Sequence, residues 1–197
     1  MFPIPAGTQL LLWLNIGIFL IDYSTGGSFG NTFALWPIGS DQLGGVGFEP
    51  WQLVTYSFFH QSFSHIFLNM FGLWMFGSDV ERVWGRNRFL TYYFTCVISA
   101  GLTQLLFTYL TQSPEPTVGA SGGIFGLLLA FALLFPRRTV ILIFPPIPMP
   151  AWLFVTIYGL IELLQGAIGT QAGVAHFAHL GGMLGGWLMI RYGRARR

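Results

Sequence analysis

An all-α polytopic membrane fold, a bundle of six transmembrane helices with an interfacial first outer loop, is predicted by three observations. The chain of 197 residues is 53% hydrophobic and 17% aromatic but only 8% charged, whereas an average soluble domain is roughly 45–50% apolar and about 25% charged. Its apolar residues fall into six runs, and ~20 residues suffice to cross a ~30 Å hydrocarbon core. All nine basic residues are arginines, grouped as Arg82, Arg86 and Arg88, as Arg137 and Arg138, and as Arg191, Arg194, Arg196 and Arg197. The groups follow the second, fourth and sixth runs, so they share one side. By the positive-inside rule that side is the cytoplasm, and both termini lie there. The acids Asp22, Asp41, Glu49 and Glu115 fall in the opposite loops. The arginine tail reads as an orientation signal rather than a nucleic-acid or lipid-headgroup patch. A single membrane domain over residues 1–197 is expected, with membrane lipids and not nucleic acid around it. The lone Cys96 can form no intrachain disulfide.

The first run, about Thr8 to Asp22, is slightly short for a span. Lacking a basic leader and a small-residue cleavage site, it reads as a retained helix rather than a signal peptide. Asn15 within it is suited to an interhelical hydrogen bond. The loop from Tyr23 to about Glu49 is Gly-rich yet carries Phe29, Phe33, Leu35, Trp36 and Phe48, a mix that fits the membrane interface. The second run, from Pro50-Trp51 to about Gly77, holds His60, Gln61, Ser62, Ser64, His65 and Asn69 in its first half. Polar groups at that depth need a cavity or a partner. The third, Arg88 to Leu110, reads as scaffold with a small-residue patch at Ser99-Ala100-Gly101.

Two prolines, Pro114 and Pro116, break the next outer loop before Gly119-Ala120-Ser121-Gly122-Gly123. The fourth run, Ser121 to Phe135, would be only about 22 Å long as a helix. Its outer end then lies below the membrane surface, reached by irregular backbone, which is tolerated only where protein or water covers it. That places Ser121 in a cavity open to the outside. The inner loop from Pro136 to Pro150 contains Pro145, Pro146 and Pro148 as further breaks. The fifth run, Ala151 to Ile168, carries Glu162, with Tyr158 and Gln165 one turn away as its expected partners. The sixth, Gly173 to Tyr192, contains His176 and His179 among glycines.

All four histidines thus fall in the outer halves of the second and sixth runs, at the depth of Ser121. His179 is followed at three and seven residues by Gly182 and Gly186, a stripe of small residues along one helix face. Gly122 and Gly126 make a matching pair on the fourth run. Such stripes let helix backbones approach closely, as a Ser–His hydrogen bond requires. His179 is therefore preferred to His176, which has the bulkier Met183 at plus seven, as the base for Ser121. His65 and Asn69, four apart, share a face and can donate to a developing oxyanion together with the Ser121 N–H. His60, off that face, is assigned to packing or water organisation. The pattern Gly119-x-Ser121-x-Gly123 also matches a nucleophile elbow, but that device needs a strand–turn–helix in a soluble sheet.

With His65-x-x-x-Asn69 on the second helix, Gly119-Ala120-Ser121-Gly122 opening the fourth and Ala178-His179-x-x-Gly182-x-x-x-Gly186 on the sixth, the chain resembles the rhomboid intramembrane serine proteases over nearly its whole length. The resemblance implies a six-helix core, cleavage of transmembrane protein substrates near their outer ends, and a Ser121–His179 dyad that needs no acid, so that Glu162 is not recruited. Gly119, Gly122, Phe125, His60 and Gly182 take supporting places. The chain departs from the family at Phe125, where many members carry a tyrosine, and in a first outer loop without arginine. No metal or cofactor is expected, since the chain has one cysteine and its histidines lack a zinc-type acidic partner motif. Two alternatives are a catalytically silent rhomboid-like protein that binds membrane clients, which would be expected to lack the serine or the histidine, and a small transporter, which would be expected to show an internal repeat.

Overall fold

The computed structural model describes residues 3–43, 46–141, 146–168 and 175–193. Residues 173 and 174 of the sixth run, Pro145 of the inner loop and the tail residues Arg194, Arg196 and Arg197 lie outside that range.

Helix α1, Ala6–Ser24, is 19 residues long, a full span where the sequence suggested a slightly short one. Its extension follows from Glu81. That side chain, 4% exposed, accepts hydrogen bonds from Gly7 N at 2.7 Å, Thr8 N at 2.6 Å and Thr8 Oγ1 at 2.8 Å. These are first-turn groups with no intrahelical acceptor. A carboxylate from a distant helix thus caps α1. Asn15 does not bond across helices as expected. Its amide donates to Leu11 O of its own helix at 2.8 Å.

The first outer loop contains a short helix α2, Ser28–Phe33, and a 3₁₀ turn, Ser40–Leu43. Its backbone is fastened to the site loop by a reciprocal pair, Leu35 N to Thr117 O and Thr117 N to Leu35 O, both 2.9 Å. The buried Gln52 adds to the fastening. It accepts from Trp36 N at 3.1 Å and donates to Thr32 O at 3.2 Å and Gly47 O at 3.3 Å.

The second run is not one helix. It folds as α3, Gln52–Thr55, a 3₁₀ turn, Tyr56–Phe58, an extended link, α4, Phe63–Gly72, a π-helical turn, Leu73–Gly77, and α5, Ser78–Trp84. Ser62 ends the link because its hydroxyl accepts from His65 N at 3.1 Å, an N-cap. Gly85, at φ +75°, turns the chain into α6, Arg86–Thr111. Helix α7, Ser121–Leu134, has 14 residues, about 21 Å, close to the length expected. Helix α8, Ala151–Ile168, has the predicted bounds, and α9 runs His176–Gly193. The proline-rich inner loop is not wholly irregular. Strands β1, Thr139–Ile141, and β2, Pro148–Pro150, pair antiparallel with Val140 opposite Met149. Proline is admissible there because a two-stranded sheet has only edges.

Helix α6 is the central scaffold of the bundle, and its small-residue patch packs closely as expected, Ser99 against Gly185 and Ala100 against Gly122. Its Tyr92 hydroxyl donates to Gly126 O of α7 at 2.8 Å, and its Ser99 hydroxyl donates to Gly181 O of α9 at 2.8 Å. The fully buried Phe89, Tyr92, Tyr93 and Val97 form much of the core. Outside, large apolar side chains face outward, among them Trp13, Leu20, Leu110, Trp152 and Leu164. Helices α1, α6 and α8 are long and apolar enough to cross a membrane, and α7 is a shorter apolar helix. The apolar exterior and the long apolar helices together mark an integral membrane protein.

Arg82 and Arg138 both contact Asp79, at 3.0 and 2.8 Å. The arginine-bearing ends of the second and fourth runs therefore meet at one end of the bundle, while the Leu35–Thr117 pair closes the other.

Two outcomes test this packing. Glu81→Ala leaves two buried first-turn N–H groups of α1 without an acceptor and is expected to lower stability by about 2 kcal/mol or more, read from chemical denaturation in detergent; a loss below about 0.5 kcal/mol would contradict the cap. A Cβ at Gly182 would overlap the Gly122 carbonyl, whereas one at Gly17 meets nothing within 4 Å. Gly182→Ala is thus expected to cost about 1–3 kcal/mol, and Gly17→Ala to be neutral or to stabilise by up to about 1 kcal/mol; equal melting temperatures for the two variants would refute the close contact.

Candidate active site

Ser121 is the first residue of α7, following Ala120 as N-cap and Gly119 at φ +128°. That backbone value favours glycine strongly. A Cβ on Gly119 would also lie 2.8 Å from Nε2 of His65, so the position is closed to other residues for two reasons. Gly119 N donates to Tyr56 O at 3.0 Å, and the Tyr56 hydroxyl donates to Val97 O of α6 at 2.8 Å. Tyr56 therefore anchors the loop that presents the serine. Sequence reasoning did not single it out, because one tyrosine in an aromatic-rich segment carries no distinguishing pattern.

The hydroxyl of Ser121 lies 2.8 Å from Nε2 of His179 on α9. Small residues make that distance possible. A Cβ on Gly182 would run into the Gly122 carbonyl, and a Cβ on Gly122 would run into Ala100 of α6 and lie 3.3 Å from the Tyr56 hydroxyl. Gly182 meets Gly122, and a Cβ on Gly126 would lie 3.1 Å from the Gly182 carbonyl, so both small residues of α7 face α9 as expected. The same residues also admit α6: Gly126 lies against Cys96, and Gly186 against the Tyr92 hydroxyl. Phe125 stacks on the His179 ring with centroids 4.3 Å apart and planes inclined by 6°, which fixes the plane of the imidazole.

His65 and Asn69 lie on α4 beside the same cavity as Ser121 and His179. Gln61 N approaches His65 Nδ1 at 3.5 Å, the outer limit of a hydrogen bond. Accepting there leaves Nε2 as the donor, on the side facing Gly119. The Asn69 amide donates one hydrogen to His65 O at 2.9 Å and retains a second. His60 is not on the His65 helix as the sequence suggested. It sits in the extended link before the Ser62 cap, with its ring edge-on to His65 at 5.0 Å between centroids. Its two ring nitrogens are buried with no partner among the described residues.

Glu162 differs most from expectation. Its partners are neither Tyr158 nor Gln165 but two histidines of α9. Oε2 lies 2.6 Å from His176 Nδ1 and 2.9 Å from His179 Nδ1. Local spacing pointed one turn along its own helix, whereas the shorter route is across to α9. The ligand-type atoms of Glu162, His176 and His179 lie within 4.8 Å of one another, so the acidic partner that the histidine spacing lacks comes from another helix. Two imidazoles and a carboxylate are donors of the kind zinc takes.

The cavity has a volume of about 1040 Å³ and runs along α7 between α4 and α8. Thr117 and Val118 bound it at the site loop and Val140 and Ile141 at the β-hairpin, while Leu68, Phe71 and Phe154 give it apolar walls. It can admit an extended apolar segment alongside a polar cluster of one hydroxyl, imidazoles, an amide and a carboxylate.

The model of the Rhomboid domain family matches residues 47–196. Rhomboid protein 1, mitochondrial, of Saccharomyces cerevisiae is 32% identical over 145 residues, covering 69% of this chain and 40% of the yeast protein. Rhomboid protease GluP of Bacillus subtilis is 30% identical over 186 residues, covering 93% of this chain and 34% of that protein. The mouse presenilin-associated rhomboid-like protein, mitochondrial, is 30% identical over 149 residues, covering 74% of this chain and 38% of that protein. The chain thus spans two fifths or less of the length of these relatives. With a family model over most of its length and the serine and histidine motifs joined at one cavity, this chain belongs to the rhomboid family.

Proposed function

We propose that the chain is an intramembrane serine endopeptidase that cleaves transmembrane segments of membrane proteins. The observation that carries this reading is the 2.8 Å approach of Ser121 Oγ to His179 Nε2 at the wall of a large, partly apolar cavity. His179 Nε2 takes the Ser121 proton as Oγ bonds to the carbonyl carbon of the scissile peptide. The carbonyl oxygen becomes an oxyanion, and donors on His65, Asn69 and the Ser121 N–H face it. The imidazolium returns its proton to the leaving amide nitrogen as the C–N bond breaks. Water, deprotonated by His179, then hydrolyses the acyl-enzyme.

The proposal includes six membrane-crossing segments with α7 as the short fourth, and cytoplasmic termini. The meeting of Arg82 and Arg138 at Asp79 supports one arginine-bearing end, and the positive-inside rule orients it. Ser121, at the opposite end of α7 from Arg138, would then open to the non-cytoplasmic side. Substrate is a helix whose scissile region unwinds into the cleft between α4 and α8. Rhomboid protease GluP is named a protease, whereas the yeast and mouse relatives are named only rhomboid or rhomboid-like proteins, so the silent client-binding alternative is the reading to exclude.

Purified wild type is expected to cut a reporter transmembrane substrate and to be labelled by a fluorophosphonate probe, and Ser121→Ala to do neither. Equal cleavage by the two would sink the assignment, and a wild type that neither cuts nor labels would favour client binding. Asn69→Ala and His65→Ala are each expected to lower kcat by about 10²–10³-fold with the fold retained; wild-type kcat in both would remove them from the oxyanion site.

A further inference from the structure

We propose that Glu162 is a positioning residue for His179, so that the site operates as a Ser121–His179–Glu162 relay of hydrogen bonds rather than as a dyad. The inference rests on the protease reading above and concerns which groups set the state of its base.

A neutral imidazole carries one proton, on either ring nitrogen. To accept the Ser121 proton, His179 needs a free lone pair at Nε2, which puts its own proton on Nδ1. That N–H points into an interior where an unmatched donor costs free energy, so without an acceptor the opposite, unreactive tautomer competes. The nearest oxygen is Glu162 Oε2, 2.9 Å away. An ionised carboxylate only accepts, so it selects the Nδ1–H form. When Nε2 takes the serine proton, the imidazolium that forms has the carboxylate beside it, and the Nδ1 proton stays on nitrogen. Glu162 neither gains nor loses a proton in the cycle.

Two further contacts bear on the same atoms. His176, one turn earlier on α9 and 5% exposed, holds the same oxygen through its Nδ1 at 2.6 Å. The glutamate is therefore seated independently of His179. Phe125, stacked parallel on His179, confines the ring to its plane, so the remaining freedom is an in-plane swing that carries Nδ1 toward or away from Oε2. In the resting geometry the pair is close but out of line, and His179 Nδ1 has no hydrogen-bond partner among the described residues. Catalytic hydrogen bonds of resting enzymes are commonly loose and tighten with substrate. The arrangement leaves alignment to substrate binding and attraction to the carboxylate.

Glu162→Gln keeps the shape but can present an N–H to Nδ1 and so stabilise the wrong tautomer. It is expected to lower kcat on a reporter transmembrane substrate by about 10²-fold or more, with KM within about threefold. Fluorophosphonate labelling of Ser121 should slow in proportion while the melting temperature is held. Glu162→Gln with wild-type kcat, or with its loss confined to KM, overturns the positioning role and leaves the Ser121–His179 reading intact. A wild type as inert as Ser121→Ala overturns that reading and this role with it. Independently of any variant's folding, ¹⁵N-histidine NMR of the wild-type protein is expected to show His179 protonated at Nδ1 and bare at Nε2 at neutral pH; the reverse overturns the proposal.

Discussion

Everything at the site depends on how closely two helix backbones can pass. Helix α9 reaches α7 at Gly182, where a single methyl group would collide with the Gly122 carbonyl. Helix α6 closes on both from behind, through Ala100 against Gly122 and Tyr92 against Gly126 and Gly186. With this three-way contact the Ser121 hydroxyl and the His179 ring meet at 2.8 Å. Steric tolerance rather than attraction sets that distance, since association of helices in lipid relies on van der Waals packing and hydrogen bonds more than on hydrophobic burial. Phe125 then acts on a ring already in place, limiting its tilt.

A second constraint is the cost of polar groups in an apolar surround, and the fold meets it by sharing acceptors. Glu81 serves three donors at the start of α1. Glu162 Oε2 lies against two imidazoles of α9. Hydroxyls of Tyr56, Tyr92 and Ser99 donate to backbone carbonyls of neighbouring helices. These are long-range ties between elements that the sequence leaves far apart, and they sit where the bundle surrounds its cavity. The α1 cap and the α9 contact use the same device, a carboxylate placed against buried nitrogens of another helix.

The loop that presents Ser121 is held by three backbone bonds, two to Leu35 and one to Tyr56. The first outer loop therefore bears on the position of the serine through Thr117 and Gly119, although the two loops are separated by most of the second and third segments. Gly119 has a specific reason to be glycine, since its backbone is in a region other residues avoid and His65 fills the space where a side chain would go.

Hydrophobic composition, arginine placement and run length were enough to read a helical membrane protein, and the bounds of α7 and α8 follow from them almost to the residue. The serine, its histidine and the His65–Asn69 pair were legible because small-residue and four-residue spacings are local properties of a helix face. The break in the second run was not, because Ser62 ends the extended link by capping through its side chain while the apolar pattern continues across it. Nor were the partners of Asn15, Glu81 and Glu162: a side chain in lipid takes the nearest available donor or acceptor, and which one is nearest depends on how helices pack, not on spacing along one of them. The sequence by itself determined which residues could take part in chemistry and the segments that carry them. Only the tertiary structure decided that α6 forms the central wall, that Tyr56 anchors the serine loop and that an acid stands behind the histidine, because each is a distance between helices that no periodicity encodes.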